Sequence, residues 1–186
     1  HARDGIDAEI IFPNKGSTSF ATADPIFSQA MCRVYNDWAW EVFGAYNDRL
    51  SPMALVATGD VDSALEQLRY VANLGFRGIS LPCKPTWGAG DSEKMNYNLP
   101  VFDQFWAAVE ETGLPITFHV STGKDPRGAK GNGGAVINYV VHSLAPTMEP
   151  IVNMCSSGVF ERFPKLRVAS VEAGIGWVPW MLTAMD

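Results

Sequence analysis

The sequence lacks the long apolar run that a membrane-spanning helix needs, since no stretch approaches roughly 18 consecutive apolar residues. It is also poor in charge: Asp, Glu, Lys and Arg make up 18% of the 186 residues, and the net charge is −6. An acidic chain of this kind is not expected to bind nucleic acid. We therefore expect a globular chain with neither a membrane nor a nucleic acid as partner, because its apolar content of 47% is ordinary for a folded domain.

Several short motifs are absent as well. The three cysteines, Cys32, Cys83 and Cys155, are scattered, so they form neither a disulfide framework nor a CxxC knuckle. A reducing compartment fits this cysteine usage, and we predict the cytoplasm. No serine lies in a GxSxG elbow, which leaves covalent hydrolase chemistry of that type without support. The glycine-rich loop 123–134 matches neither the phosphate-binding nor the dinucleotide pattern.

Five short apolar runs predict strands, and most of them are rich in β-branched or aromatic residues. They lie at 8–13, 55–58, 76–81, 115–120 and 166–172. They show little polar alternation, which is typical of strands buried on both faces of a parallel sheet.

Helical patterns lie between these strands. Asp24 and Pro25 predict the start of a helix whose apolar residues recur at helical spacing. That face contains Phe27, Ala30, Met31, Val34 and Trp38, and the aromatic set Tyr35, Trp38, Trp40, Phe43 and Tyr46 is predicted to be mostly core. Further helices are expected from Val61 to Gly75, around 102–109, at 135–143, at 148–156 and at Trp177–Met185.

The order of these elements is βαβαβαβααβα, which predicts parallel strands in an α/β fold. Two architectures fit this order, an open doubly wound sheet and part of a (β/α)8 barrel. The long loops follow strands and the short ones precede them, so one face of either fold is expected to carry the function.

Two residues at strand ends are the main candidates for chemistry. His119 lies near the end of the fourth predicted strand, where an imidazole can bind a metal or transfer protons. The alternative is a core histidine bonded to the backbone. Glu172 ends the next strand, and a carboxylate there needs a cation, a metal or a donor, so a simple salt bridge also fits. If the strands are neighbours, both side chains come within reach of one ligand.

Other residues carry weaker indications. Trp87 lies in a long loop after a strand, where it is a candidate for substrate binding. The loop after His119 contains Lys124, Arg127 and Lys130, which are either solvated charges or contacts to a carboxylate-bearing substrate, with Arg127 the candidate. His142 lies within an apolar helical pattern and is predicted to be structural.

Four segments resemble the amidohydrolase-related metal-dependent hydrolases, in the branch that includes aminocarboxymuconate-semialdehyde decarboxylase. They are DGIDAEIIFP (4–13), LVATGDVDSALEQLRYVANLGFRGISLP (55–82), FDQFWAAVEETGLPITFHVSTG (102–123) and SSGVFERFPKLRVASVEAGIGWVPWML (156–182). The resemblance implies a (β/α)8 barrel with one divalent metal, zinc in the first instance, at the carboxyl ends of the strands. It also implies that residues 1–186 form one partial barrel domain containing strands two to six.

The resemblance assigns roles to two residues. His119 matches a metal ligand on the fifth strand, and Glu172 replaces the histidine that often lies on the sixth, as in a subgroup with an EAG or ECG sequence. Glu172 is expected to be catalytic, and the resemblance leaves three roles open for it: binding the metal, transferring a proton or orienting water. The HxH pair and the aspartate of the family have no counterpart here, so they would lie before His1 and after Asp186, and both ends of the sequence look cut.

The implied function is hydrolysis by a metal-activated water acting on a small-molecule substrate, with a carboxylate as the candidate class. One alternative is a non-oxidative decarboxylase on the same scaffold. An alternative of another class is a non-catalytic part of a barrel that is stabilised by self-association, because a partial barrel exposes sheet edges. A homo-oligomer, in the first instance a dimer, is therefore expected.

Overall fold

Six short parallel strands form the framework of the chain in the computed structural model, which describes residues 2–85, 95–122 and 128–186. They are β1 (Glu9–Ile11), β2 (Leu50–Pro52), β3 (Ala54–Leu55), β4 (Ile79–Leu81), β5 (Ile116–His119) and β6 (Val168–Val171). β1 and β2 form a two-stranded sheet, and the other strands form a four-stranded sheet in the order β3-β4-β5-β6, with all pairs parallel. The parallel α/β arrangement predicted from the sequence is confirmed.

The second strand differs from its prediction at 55–58, because the extended segment begins earlier and is divided into β2 and β3. Met53 N donates to Ile11 O at 2.9 Å, and Ala54 N donates to Gly78 O at 3.1 Å. The chain therefore stops hydrogen-bonding to the end of β1 at Met53 and begins hydrogen-bonding beside β4 at the next residue, Ala54. The prediction did not include Pro52, which lies opposite Ile11 as the last residue of β2.

Seven helices connect the strands within the described ranges. They are α1 (Pro25–Phe43), α2 (Val61–Leu74), α3 (Asp103–Thr112), α4 (Gly134–Tyr139), α5 (Glu149–Ser156), α6 (Val159–Arg162) and α7 (Trp177–Met185), and a π-helical turn, Val140–Leu144, follows α4. The predicted cap of α1 is present, since the Asp24 carboxylate accepts from Ile26 N and Phe27 N, and Asp60 caps α2 by accepting from Ser63 N. None of these helices is both long and apolar enough to cross a membrane.

Helix α1 turns the opposite face to the sheet from the one predicted. Its buried residues are small or polar, namely Ser28, Cys32, Asn36 and Ala39. The predicted apolar face contains side chains that are largely exposed, with Phe27 at 56%, Val34 at 70% and Trp38 at 52%, and Tyr46 beyond the helix is also exposed. Of the predicted core aromatics, Trp40 does pack against Phe76, with ring centroids 5.1 Å apart.

Asn36 explains this orientation. Its side-chain amide donates to Leu55 O at 2.8 Å, and its carbonyl oxygen accepts from Leu55 N at 2.7 Å. Both polar groups of a β3 residue are therefore satisfied by one buried side chain. Since an unpaired buried backbone group costs about 1–3 kcal/mol, this pairing favours the polar face of α1 toward the sheet.

The carboxyl ends of β3 and β4 are joined by a buried phenol. Tyr97 is fully buried, its hydroxyl donates to Pro82 O at 2.7 Å, and it lies 2.7 Å from the Thr58 hydroxyl. Burial raises the pKa of Tyr97 well above its usual value, so the phenol stays neutral. This network fixes the strand ends beside β5.

The strands curve around a common space at their carboxyl ends. Phe12, which directly follows β1, has its ring centroid 5.0 Å from that of His119 at the end of β5. β1 pairs with β2, the chain passes directly from β2 into β3, and β4 lies between β3 and β5, so a flat arrangement would keep the two rings far apart. The contact therefore shows the curvature that a barrel requires.

Candidate metal and proton-transfer site

His119 is the last residue of β5, and its side chain is 24% exposed. Its Nδ1 atom lies 3.0 Å from the carbonyl oxygen of Val120. A carbonyl can only accept, so Nδ1 carries the proton and donates it. The neutral imidazole then has its free lone pair on Nε2, which is the atom that can bind a metal.

Glu172 is the first residue after β6 and brings its carboxylate toward His119. Its backbone is in the left-handed region with φ of 60°, which is uncommon for a residue other than glycine. Its side chain is 63% exposed, and its Oε2 lies 3.4 Å from His119 Nε2. The proximity expected from neighbouring strand ends is therefore observed, while the role of each residue stays a prediction.

The facing atoms need a positive charge between or beside them. A neutral imidazole presents a lone pair at Nε2, and an ionised carboxylate presents lone pairs at both oxygens. Two such acceptors repel unless a proton or a cation joins them. Their 3.4 Å separation also suits two ligands of one divalent ion, because bonds of about 2.1 Å at tetrahedral angles place ligand atoms about 3.4 Å apart.

These two residues supply only part of a metal site. Across residues 2–85, 95–122 and 128–186, no group of three or more His, Cys, Asp and Glu side chains could hold an ion. A catalytic metal usually has three protein ligands. The described residues therefore fit a divalent ion as two ligands, and further ligands are needed.

Cys83 lies beside the site but is not a candidate nucleophile. It is 1% exposed, and its thiol lies 3.4 Å from Thr122 Oγ1 and 3.7 Å from His119 O. Burial raises the pKa of Cys83 to about 12. The thiol therefore stays protonated at neutral pH and supports the strand end as a hydrogen-bonding group.

The other sequence candidates are separate from this pair. Trp87, Lys124 and Arg127 lie outside the described residues, so their predicted contacts to substrate stay predictions. Lys130 is exposed in the loop before α4. His142 is 8% exposed, and its Nδ1 lies 2.9 Å from Asn138 Oδ1, which agrees with the predicted structural role.

Sequence reasoning missed Phe12 and Ser121. Phe12 could have been found by the rule that selected His119, since it too lies at the carboxyl end of a strand. Ser121 has φ of 69°, a left-handed conformation for which serine gives no sequence signal. Both lie next to His119, one in space and one along the chain.

Comparison with known proteins identifies the fold and the relatives. The family model described as Amidohydrolase matches residues 3–186. A gamma-resorcylate decarboxylase from Rhodococcus jostii (strain RHA1) is 30% identical over an alignment of 166 residues, and the match covers 84% of this chain and 48% of that protein. The chain therefore spans about half the length of this curated relative.

Solved structures match over nearly the whole chain. An amidohydrolase from Mycobacterium avium subsp. paratuberculosis K-10 superposes with a TM-score of 0.80 at 22% identity, covering 98% of this chain and 48% of that one. A dihydroxybenzoic acid decarboxylase from Polaromonas sp. JS666, with bound manganese and the inhibitor 2-nitroresorcinol, gives 0.66 at 18% identity, covering 91% and 51%. The fold is thus of the (β/α)8 barrel class, incomplete in this chain.

Proposed function

The chain belongs to the amidohydrolase family, a family of enzymes, and from this premise we propose that its natural protein removes carbon dioxide from an aromatic carboxylic acid at a divalent metal. The observation that carries the proposal is the His119–Glu172 pair at 3.4 Å, on a chain whose curated relative is named a decarboxylase. Hydrolysis, the first expectation from the sequence, is kept as the alternative, since the family model and one solved structure are described as amidohydrolase.

His119 Nε2 is the atom that would bind the metal in this proposal, and Glu172 Oε2 lies 3.4 Å from it. The candidates are zinc, as expected from the sequence, and manganese, as in the Polaromonas enzyme. When bound, a divalent ion would draw in and polarise the anionic oxygens of the substrate. The hydrogen bond from His119 Nδ1–H to Val120 O supports this contact, because it keeps the imidazole proton on Nδ1 and leaves the Nε2 lone pair available to the metal.

Glu172 is the proposed proton donor. Decarboxylation breaks the bond between the ring carbon and the carboxylate carbon, and the electron pair of that bond stays with the ring carbon. A proton must then reach the same ring carbon as carbon dioxide leaves. Glu172 can carry this proton at its carboxylate, and with its side chain 63% exposed it can recover another from solvent.

The substrate proposed is a small aromatic acid, which would contact the remaining predicted residues. Arg127 would pair with its carboxylate and Trp87 would contact its ring. Phe12 adds a second aromatic wall, since its ring is already beside His119. We keep the cytoplasm as the proposed location, in line with the free state of Cys32.

Release of carbon dioxide from gamma-resorcylate tests the proposal. The natural gene product that carries this sequence is loaded with zinc or manganese and incubated with gamma-resorcylate, other hydroxybenzoates, and a matched panel of aryl esters and amides. We expect carbon dioxide and the decarboxylated phenol in equal amounts. Cleavage of an ester or amide, with no carbon dioxide from any acid, would identify a hydrolase instead.

One observation favours the alternative of a self-associating, non-catalytic part. The stripe on α1 formed by Phe27, Val34 and Trp38 exposes large apolar side chains on one face of a long helix. Monomers rarely leave such a continuous patch in water. We expect the 186-residue chain on its own to form dimers or larger assemblies in light scattering, and Trp38→Glu to shift them toward monomer, while Glu161→Ala, at an exposed position on α6, does not. A wild-type chain that stays monomeric at high concentration would exclude self-association.

A further inference from the structure

A tight turn follows β5 directly and contains the residue of interest, Ser121. Thr122 N donates to His119 O at 3.1 Å, which closes a four-residue turn from His119 to Thr122. Ser121 occupies the third position with φ of 69°, and Val120 at the second position is not among the residues with positive φ. A turn with positive φ only at its third position is of type II.

The turn type determines where the Val120 carbonyl points. Type I and type II turns differ by about half a rotation of the peptide between their second and third residues. Here that peptide is Val120–Ser121, and its oxygen lies 3.0 Å from His119 Nδ1. Rotating the peptide to the type I orientation would turn this oxygen away from the imidazole, and Nδ1 would lose its acceptor.

The turn is held by buried groups on both sides. The Thr122 hydroxyl donates to His119 O at 2.7 Å, and Cys83 N donates to Thr122 O at 3.3 Å. Thr122 is 3% exposed and Cys83 is 1% exposed. A left-handed serine persists only where the surrounding contacts impose it, and such positions cluster at functional sites.

We infer that Ser121 is a positioning residue whose left-handed backbone fixes the tautomer of His119. It aims the Val120 carbonyl at Nδ1, which places the imidazole proton there, because this acceptor lies at 3.0 Å whereas the competing carboxylate, Glu172 Oε2, lies 3.4 Å from Nε2 and is 63% exposed to solvent. In solution the free side chain favours the other tautomer, with the proton on Nε2. The consequence for metal binding rests on the proposed function, whereas the tautomer itself is a property of the metal-free chain.

The test measures the two ring nitrogen shifts of His119 by long-range ¹H–¹⁵N NMR on the metal-free chain, under alkaline conditions in which imidazoles are neutral. The chain has three histidines, so His119 is assigned with one His119→Gln sample. His142 is an internal control, because its Nδ1 faces Asn138 Oδ1 and not this turn.

Ser121→Gly and Ser121→Ala form the matched pair. Both remove the hydroxyl, but only glycine adopts positive φ without cost. We expect wild type and Ser121→Gly to show the Nδ1–H tautomer. In Ser121→Ala, and more strongly in Ser121→Val, we expect the ratio of the Nε2–H to the Nδ1–H tautomer to rise by about tenfold. This is the factor by which the loss of one hydrogen bond changes an equilibrium constant. Ser156→Val, at an exposed position, should leave His119 unchanged.

Two results would overturn the inference. One is an Nε2–H tautomer at His119 in the wild-type chain. The other is an Nδ1–H tautomer retained in both Ser121→Ala and Ser121→Val, with the His142 signals in their wild-type positions. If Ser121→Val fails to fold, the Ala and Gly pair alone decides. Because neither metal nor substrate is present, a failed carbon dioxide assay would leave this result standing, and the reverse also holds.

Discussion

His119→Ala is expected to abolish divalent-metal retention and, with it, the decarboxylation proposed for the natural protein. Nε2 is the one lone-pair nitrogen that the described site offers, and it faces Glu172 Oε2 at 3.4 Å. Loss of an outer hydrogen-bonding partner of a metal ligand already costs about 10- to 100-fold in affinity or activity. Removal of the ligand itself should therefore cost more than about 100-fold in metal affinity.

The measurement is metal content per chain after gel filtration, together with the rate of carbon dioxide release from the same samples. His142→Gln is the matched control, because it removes the other internal histidine, whose partner is Asn138. It should retain metal, whereas His119→Ala should not. A His119→Ala sample that keeps the metal content of wild type would show that His119 is not a ligand.

The position of His119 and Glu172 could be predicted from the sequence because it depends on few physical rules. Short apolar runs bounded by proline and glycine gave strands, and alternation with helices made those strands parallel. Parallel strands carry their carboxyl ends at one edge, so polar residues at those ends had to approach one another. β5 and β6 are neighbours in register, with His119 opposite Val171, one residue before Glu172.

The face of α1 could not be predicted in this way. Periodicity identifies the face richest in apolar residues and assumes that it is buried. In α1, two hydrogen bonds between Asn36 and Leu55 orient the helix instead, and the apolar stripe is left exposed. A buried asparagine that satisfies a strand backbone outweighs the periodic pattern, and no spacing rule shows such a pairing before the fold is known.

The backbone of the site was also beyond sequence reasoning. Ser121 and Glu172 both have positive φ, yet neither is a residue type that favours it. The turn that contains Ser121 is held by contacts between elements distant in the chain, such as that of Cys83 with Thr122. The contact of Phe12 with His119 has the same origin, since it depends on the curvature of the sheet.

Glu172→Gln separates the two roles that this residue could have. Glutamine keeps the size and can keep the backbone conformation, but it cannot release a proton. If Glu172 is the proton donor, we expect a loss of about 10²- to 10⁴-fold in carbon dioxide release, the usual contribution of general acid–base catalysis. Metal content should change little, because His119 Nε2 and the amide oxygen of Gln remain available to the ion.

The control and the contrary outcomes make this variant decisive. Glu161→Gln makes the same chemical change at an exposed position on α6. It should leave the metal content and the rate of carbon dioxide release at wild-type values. A parallel loss of metal and activity in Glu172→Gln would make Glu172 chiefly a ligand. Wild-type activity in that variant would exclude it as the proton donor, and the His119–Glu172 contact would then be an ion pair without a catalytic part.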